Sequence, residues 1–195
     1  MKHTTLNMRL LELIETRRAK IGVVGLGYVG LPLVVAYLNA GFEVVGVDVD
    51  PEKVSLLNEG VSYIEDIPSE QLAPHIQSNK FVAAEDYTVL SECDAISICV
   101  PTPLRKTKDP DISYIVYAAE QIAQLDYTGK LIVLESTTYP GTTDEVILPM
   151  LTTDILQAGR DFFLAFSPER IDPGRIDYTL QTTPKVIGGT TKRCT

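Results

Sequence analysis

Short apolar runs alternate with helical patterns along most of this chain, and this alternation constrains its fold more than any other feature. The apolar runs are nearly continuous, which is typical of strands covered on both faces. Such strands, joined by helices, form parallel sheets with right-handed crossovers. We therefore expect a doubly wound α/β fold with a mostly parallel sheet. The predicted strands cover residues 20–25, 43–48, 80–85, 95–100, 130–136, 162–167 and 185–189.

Helical patterns fill the intervals between these strands. Glycines follow two of the patterns as stop signals, and Asp111 leads into another. A further amphipathic helix is expected within residues 1–19, where charged residues interrupt the apolar positions and argue against a signal peptide. The helices predicted between the strands cover residues 28–40, 51–58, 68–77, 112–124 and 142–157.

Composition argues against several partners. The 195 residues carry a net charge of −9. Nucleic-acid binders depend on clustered Lys and Arg, so we expect no nucleic-acid partner. No apolar stretch is long enough to span a bilayer, so we expect no membrane partner. Cys93, Cys99 and Cys194 lack metal-ligand spacing, which favours reduced thiols, a cytoplasmic location and no metal site.

Three glycines, Gly25, Gly27 and Gly30, follow the first predicted strand and open the next helix. In that context G-x-G-x-x-G predicts a Rossmann-type dinucleotide site. The first glycine permits a tight turn, the second lets the backbone approach a pyrophosphate, and the third lets the helix pack close to the strand. The pyrophosphate would lie at the positive end of the helix. A tight turn that binds no nucleotide is the alternative.

An acidic residue, Asp48, ends the second predicted strand about 20 residues after the glycines, where a carboxylate accepts the adenosine ribose hydroxyls. It would repel the 2′-phosphate of NADP, so we expect NAD as the cofactor. Lys53 either approaches the same ribose or is a solvated helix residue. Asp50 is expected to cap the next helix.

Three loops follow the carboxyl ends of later strands, over residues 101–110, 137–143 and 167–175. Open α/β sheets bind their ligands at this edge, so the loops should meet the glycine turn there. Arg105, Lys106 and Lys108 make the first loop basic, which suits either a diphosphate or a solvated surface.

Four motifs in order carry a family resemblance: "GLGYVGLPL", "VPTPL", "ESTTYPGTT" and "FSPERIDPG". The chain resembles the N-terminal half of a nucleotide-sugar 6-dehydrogenase of the UDP-glucose/UDP-mannuronate dehydrogenase family. With "SYIEDI" at 62–67, it is more similar to the branch that acts on UDP-N-acetylhexosamines. Members of the family oxidise the C6 alcohol of a UDP-sugar twice, to the uronate, and reduce two NAD molecules.

The resemblance also implies site residues. Thr137 would position a catalytic water or substrate oxygen near the nicotinamide. Glu169 would act as a polar group beside the nicotinamide and the substrate. Thr102 and Thr137 could instead be turn hydroxyls, and Glu169 could simply start a turn. The cofactor-binding residues that the resemblance implies are Gly25, Gly27, Tyr28, Val29, Gly30, Asp48, Lys53, Pro101, Thr102 and Thr137.

The last loop departs from the UDP-glucose dehydrogenase pattern. Pro173 stands where a second glutamate is expected, so the general base is not assigned. Arg170 and Arg175 fit either substrate phosphates or ion pairs with Asp172 and Asp177.

Length is the larger departure, because family members are more than twice as long and carry their nucleophilic cysteine farther downstream. Cys194 lacks the expected glycine neighbours and is not assigned as that nucleophile. We expect residues 20–190 to form the NAD-binding domain and residues 191–195 to begin a linker to a second, absent domain. The isolated chain should be inactive, and the full-length enzyme a homodimer. A stand-alone NAD-binding module is the alternative, and the three-glycine spacing disfavours a methyltransferase.

Overall fold

A computed structural model describes residues 2–106, 108–170 and 183–195. Its seven strands form one sheet in the order β3-β2-β1-β4-β5-β6-β7. The first five pairings are parallel, and β7 runs antiparallel to β6. The predicted doubly wound, mostly parallel α/β fold is therefore confirmed. The strands are β1 Lys20–Val24, β2 Glu43–Val47, β3 Phe81–Ala84, β4 Ala95–Ile98, β5 Leu131–Leu134, β6 Phe163–Phe166 and β7 Gly188–Gly189.

Six α-helices connect or flank the strands in the described part of the chain. Two 3₁₀ segments, Ser69–Gln71 and Tyr87–Glu92, and a π-helical turn, Thr142–Ile147, complete the connections. The α-helices are α1 Lys2–Glu15, α2 Gly30–Asn39, α3 Pro51–Asn58, α4 Ala73–Gln77, α5 Ser113–Ala123 and α6 Leu148–Leu151.

The core has two layers, one on each face of the sheet. Successive strand residues enter opposite layers, as Val23 and Val24 of β1 do. The layer beneath α2 and α3 includes Leu31 and Leu57. The other layer packs α5 on the middle of the sheet through residues such as Ile122. Burial on both faces explains why the strands lack apolar and polar alternation.

The prediction of one helix over residues 142–157 is wrong, because regular helix ends at Leu151. Thr153 accounts for this end. Its Oγ1 accepts hydrogen bonds from the backbone N–H groups of Ile155 and Leu156, at 3.3 and 3.0 Å. A threonine side chain that bonds to nearby backbone favours a turn over continued helix.

The predicted helix over 68–77 also divides, at Leu72, into a 3₁₀ turn and α4. Pro74 lacks an N–H group and starts a new helix more readily than it continues one. A second 3₁₀ segment, Tyr87–Glu92, lies in the β3–β4 connection, where no helix was predicted. The Asp86 carboxylate caps it by accepting a 2.8 Å hydrogen bond from Thr88 N–H.

Helix α1 packs against the carboxyl-terminal strands. Leu10 is buried beside Phe163 and Cys194. Arg17 follows the helix, and both its backbone N–H and its Nη1 donate to the Ile14 carbonyl at 3.1 Å, which satisfies an acceptor at the helix end. Within the described ranges, no helix is long and apolar enough to cross a membrane.

The interior strand β5 should contribute more to the stability of the sheet than the edge strand β3. Ile132 is 0% exposed, whereas Val82 on the edge strand β3 is 50% exposed. We expect Ile132→Ala to lower the free energy of unfolding by about 2–5 kcal/mol, because it leaves a cavity in a packed core. The matched control, Val82→Ala, should cost no more than about 1 kcal/mol. Urea unfolding followed by circular dichroism measures both, and equal losses would contradict this core assignment.

Candidate functional site

A cleft of about 560 Å³ opens where the carboxyl ends of β1, β2 and β4 meet. The strand order reverses between β1 and β4, which is where open α/β sheets bind ligands. The cleft brings together nine of the predicted site residues but is not lined by Gly30 or Glu169. The nine are Gly25, Gly27, Tyr28, Val29, Asp48, Lys53, Pro101, Thr102 and Thr137.

The three glycines meet different steric demands. Gly25 has a φ of +87°, and a Cβ there would lie 2.8 Å from the Cys99 carbonyl oxygen. A Cβ on Gly30 would overlap the carbonyl oxygen of Gly25. By contrast, a Cβ on Gly27 would meet nothing within 4 Å. Gly25 and Gly30 are thus required by the fold itself, whereas Gly27 faces open space in the cleft.

The start of helix α2 is available to an anion. The helix begins at Gly30, Val29 supplies no side-chain cap, and the first turn carries no acidic residue. The first N–H groups of a helix lack intrahelical acceptors, and the helix dipole makes this end positive. The geometry therefore suits a phosphate group, which would supply both the missing acceptors and the negative charge.

Asp48 links the glycine turn to the end of β2. Its carboxylate accepts hydrogen bonds from Leu26 N–H at 2.8 Å through Oδ2 and from Asp50 N–H at 3.1 Å through Oδ1. The residue is only 8% exposed. An ionised carboxylate offers about four acceptor positions, so two more hydroxyl groups can still donate to it.

Lys53 lies beside this carboxylate, with Nζ 3.8 Å from Asp48 Oδ2 and 4.0 Å from Asp50 Oδ2. Its ammonium is also 5.9 Å from the centre of the Tyr63 ring. Tyr63 in turn donates its hydroxyl to the Leu26 carbonyl at 2.6 Å, and burial raises its pKa. Lys53 is therefore held at the cleft. Asp50 caps α3, as the sequence predicted, by accepting from Glu52 N–H.

Two loops of the cleft are joined through hydroxyl groups. Thr102 donates to the Thr137 carbonyl at 2.7 Å. Ser136, whose part sequence reasoning missed, donates to the Val100 carbonyl at 2.8 Å. The Thr102 hydroxyl thus acts as a loop brace here, which was the structural alternative for this residue.

Glu169 is not among the residues that line the cleft. Its backbone N–H donates to the Glu135 carbonyl at 3.2 Å, and its Oε2 is 4.0 Å from Lys185 Nζ. Among the cavities formed by the described residues, Thr137 lines the cleft and Glu169 lines none. Arg170 donates from Nη1 to the Pro184 carbonyl at 3.1 Å. The predicted roles of Asp172, Pro173, Arg175 and Asp177 lie outside the described residues.

Sequence reasoning also missed three aromatic residues that line the cleft, Tyr87, Tyr114 and Tyr117. The rings of Tyr87 and Tyr117 pack edge to face with centroids 6.0 Å apart. Burial raises the pKa of Tyr87 to about 12. The available signal was the spacing of Tyr114 and Tyr117, which lie three residues apart on α5 just after the first loop.

Arg105, Lys106 and Lys108, the basic residues of the first loop, do not line the cleft. Arg105 pairs with Asp111 at 3.0 Å, and this hydrogen bond, with that from Ser113, lowers the pKa of Asp111 to about 2. The three cysteines are buried and unpaired by disulfides. Across the described ranges, no group of three or more His, Cys, Asp or Glu residues could hold a metal ion.

Comparisons with known proteins agree with this geometry. A UDP-N-acetyl-D-mannosamine dehydrogenase from Pyrococcus horikoshii is 35% identical over 89% of this chain. A UDP-N-acetyl-D-glucosamine 6-dehydrogenase from Pseudomonas aeruginosa is 35% identical over 88%. The crystal structure of an NDP-N-acetyl-D-galactosaminuronic acid dehydrogenase from Methanosarcina mazei Go1 aligns with a TM-score of 0.82 and 32% identity over 95% of this chain.

The chain spans 42%, 40% and 42% of the lengths of these three proteins, respectively. Residues 19–195 match the family model described as the UDP-glucose/GDP-mannose dehydrogenase family, NAD binding domain. The resemblance predicted from the motifs is confirmed. The chain belongs to the UDP-glucose/GDP-mannose dehydrogenase family, as its NAD-binding domain.

Proposed function

We propose that this chain supplies the NAD-binding half of a UDP-sugar 6-dehydrogenase that oxidises a C6 alcohol to the uronate. One observation carries the proposal: the uncapped start of α2, the open face of Gly27 and the Asp48 carboxylate line one cleft. Relatives named for UDP-N-acetyl-D-mannosamine and UDP-N-acetyl-D-glucosamine support a UDP-N-acetylhexosamine as substrate. The full-length enzyme would act as a homodimer, as the resemblance implies, and its unpaired cysteines favour a cytoplasmic location.

The positions of the lining residues suggest which part of the cofactor each of them would bind. Backbone N–H groups of Gly27, Tyr28 and Val29 would bind the pyrophosphate, with the α2 dipole adding attraction. Asp48 would accept the adenine ribose hydroxyls, and Lys53, 3.8 Å away, would help to hold that carboxylate in place. Gly25 and Gly30 would shape the turn that presents these N–H groups, and Gly25 would also line the pyrophosphate part of the cleft.

The nicotinamide end would lie toward the two loops that Thr102 and Thr137 join. Pro101 and Thr102 would flank the central part of the cofactor. When bound, NAD supplies a hydride acceptor for alcohol oxidation. Thr137 would hold a water or substrate oxygen there, and Glu169 would act as a polar residue at the substrate side. Oxidation at C6 releases a proton for each hydride, so an acceptor carboxylate is chemically appropriate.

Substitutions at Gly27 and Gly30 should affect different properties, NAD affinity in the first case and thermal stability in the second. We expect Gly27→Ala to unfold at nearly the wild-type temperature, because its Cβ meets open space, yet to bind NAD about tenfold or more weakly. Gly30→Ala is the matched control. Its Cβ would overlap the Gly25 carbonyl, so it should lose thermal stability. Scanning calorimetry and NAD titration distinguish the two, and full NAD affinity in Gly27→Ala would refute the pyrophosphate assignment.

Asp48 should determine cofactor choice. We expect Asp48→Ala to weaken NAD binding by about tenfold to a hundredfold, since it removes charge-assisted hydrogen bonds to the ribose. The preference for NAD over NADP should narrow, because the repulsion of a 2′-phosphate is lost. Asp48→Asn removes the negative charge but keeps the size of the side chain, and its amide oxygen can still accept from Leu26 N–H. This variant therefore distinguishes the effect of the charge from that of the local structure. Isothermal titration with both dinucleotides measures this, and unchanged affinities for both would exclude the ribose role.

A further inference from the structure

A second pocket, of about 370 Å³, lies on the α2 side of the sheet near the ends of β5 and β6, and we call it the Lys185 pocket. Glu135, Ser167 and Lys185 supply its polar wall, and Tyr37 and Val133 are among its remaining lining residues. Glu135 directly precedes Ser136 and Thr137, which line the cofactor cleft. The end of β5 therefore contributes to two cavities.

Glu135 is a buried carboxylate with a cation directly against it. Its side chain is 5% exposed, and Lys185 donates a short hydrogen bond from Nζ to Glu135 Oε2. Burial raises the pKa of Glu135, the Lys185 hydrogen bond opposes that rise, and the nearby Glu169 adds to it. Loss of the cation would leave a desolvated negative charge, which is costly in a protein interior.

The same ammonium also faces Glu169. Lys185 Nζ is 4.0 Å from Glu169 Oε2, and the Glu169 side chain is 10% exposed. Arg170 N–H donates to the other oxygen, Oε1, at 2.6 Å. The Arg170 side chain bonds the Pro184 carbonyl and so fixes the segment that carries Lys185. Each oxygen of the Glu169 carboxylate therefore has a partner, and one of these partners, Lys185, is bonded to Glu135 at the end of β5.

We propose that Lys185, held in place by Glu135, is a positioning residue for the carboxylate of Glu169. This inference rests on the proposed function, in which Glu169 serves at the substrate side. Lys185 compensates the buried Glu135 charge and orients Glu169 Oε2 at the same time.

Other titratable groups surround this cluster in the described part of the chain. Burial raises the pKa of Tyr37, on α2, to about 12, although its hydrogen bond to Ser97 lowers it. Burial also raises the pKa of Cys99, which follows β4, well above its usual value. Cys194 lines the Lys185 pocket as well. Tyr37 and Cys99 are therefore neutral near pH 7, and Lys185 is the cation that the described contacts place against both carboxylates.

Carboxyl-carbon NMR titration of this chain, with selectively labelled glutamate, tests the proposal. Lys185→Met should raise the Glu135 pKa by about one unit or more, and Glu169→Gln should lower it, because the two changes remove opposite charges. Lys185→Arg keeps the cation. Its Glu135 titration and its Glu169 carboxyl signal should therefore both match those of the wild-type chain. The Glu169 carboxyl signal is the readout specific to positioning: Lys185→Met should shift it, whereas a Lys185 that did not contact Glu169 would leave it unchanged.

An unchanged Glu135 titration in Glu169→Gln would overturn the proposal. If Lys185→Met fails to fold, Lys185→Arg and Glu169→Gln still decide it. NAD affinity, measured on the same samples, should stay within about twofold of wild type, because Lys185 does not line the cleft. Failure of the wild-type chain to bind NAD would instead contradict the proposed function and leave the charge coupling as a separate result.

Discussion

The close approach of helix α2 to strand β1 is the constraint on which the site depends. No side chain fits between Gly30 and the Gly25 carbonyl, and Gly25 itself turns through a positive φ against the Cys99 backbone. This contact sets the direction of α2 and aims its first N–H groups at the edge where β1 and β4 diverge. Asp48 completes the arrangement by accepting from Leu26 N–H within the same turn. The fold and the anion site therefore share one set of contacts.

In the proposed function, an acidic protein would bind a diphosphate through local geometry. The net charge of −9 gives no general attraction for phosphate, so backbone N–H groups and the α2 dipole provide it at one point. The charged side chains near the site are arranged in pairs, Lys53 with Asp48 and Lys185 with Glu135. One pair lies at the proposed ribose end and the other beyond the loop of Thr137. At each of these two places, a buried carboxylate therefore has a lysine ammonium beside it.

Much of the fold could be predicted from local sequence. Continuous apolar runs indicate strands buried on both faces, and glycines indicate turns and close backbone contacts. The strands and α3 lie close to their predicted positions, whereas residues 152–157 leave the predicted helix when Thr153 bonds nearby backbone. Tyr87 and Tyr117 were missed because their contact joins the β3–β4 connection to α5 and has no local signature. The Lys185 and Glu135 pair joins residues 50 positions apart, so only the folded sheet brings them together.

The central claim is that the start of α2 holds the cofactor pyrophosphate. Amide ¹H–¹⁵N spectra recorded during NAD titration test it most directly, because an N–H group that donates to a phosphate changes its resonance strongly. The account predicts the largest shifts at Gly27, Tyr28 and Val29, with Lys185 nearly unaffected. Saturable NAD binding that leaves these three amides unchanged would contradict it.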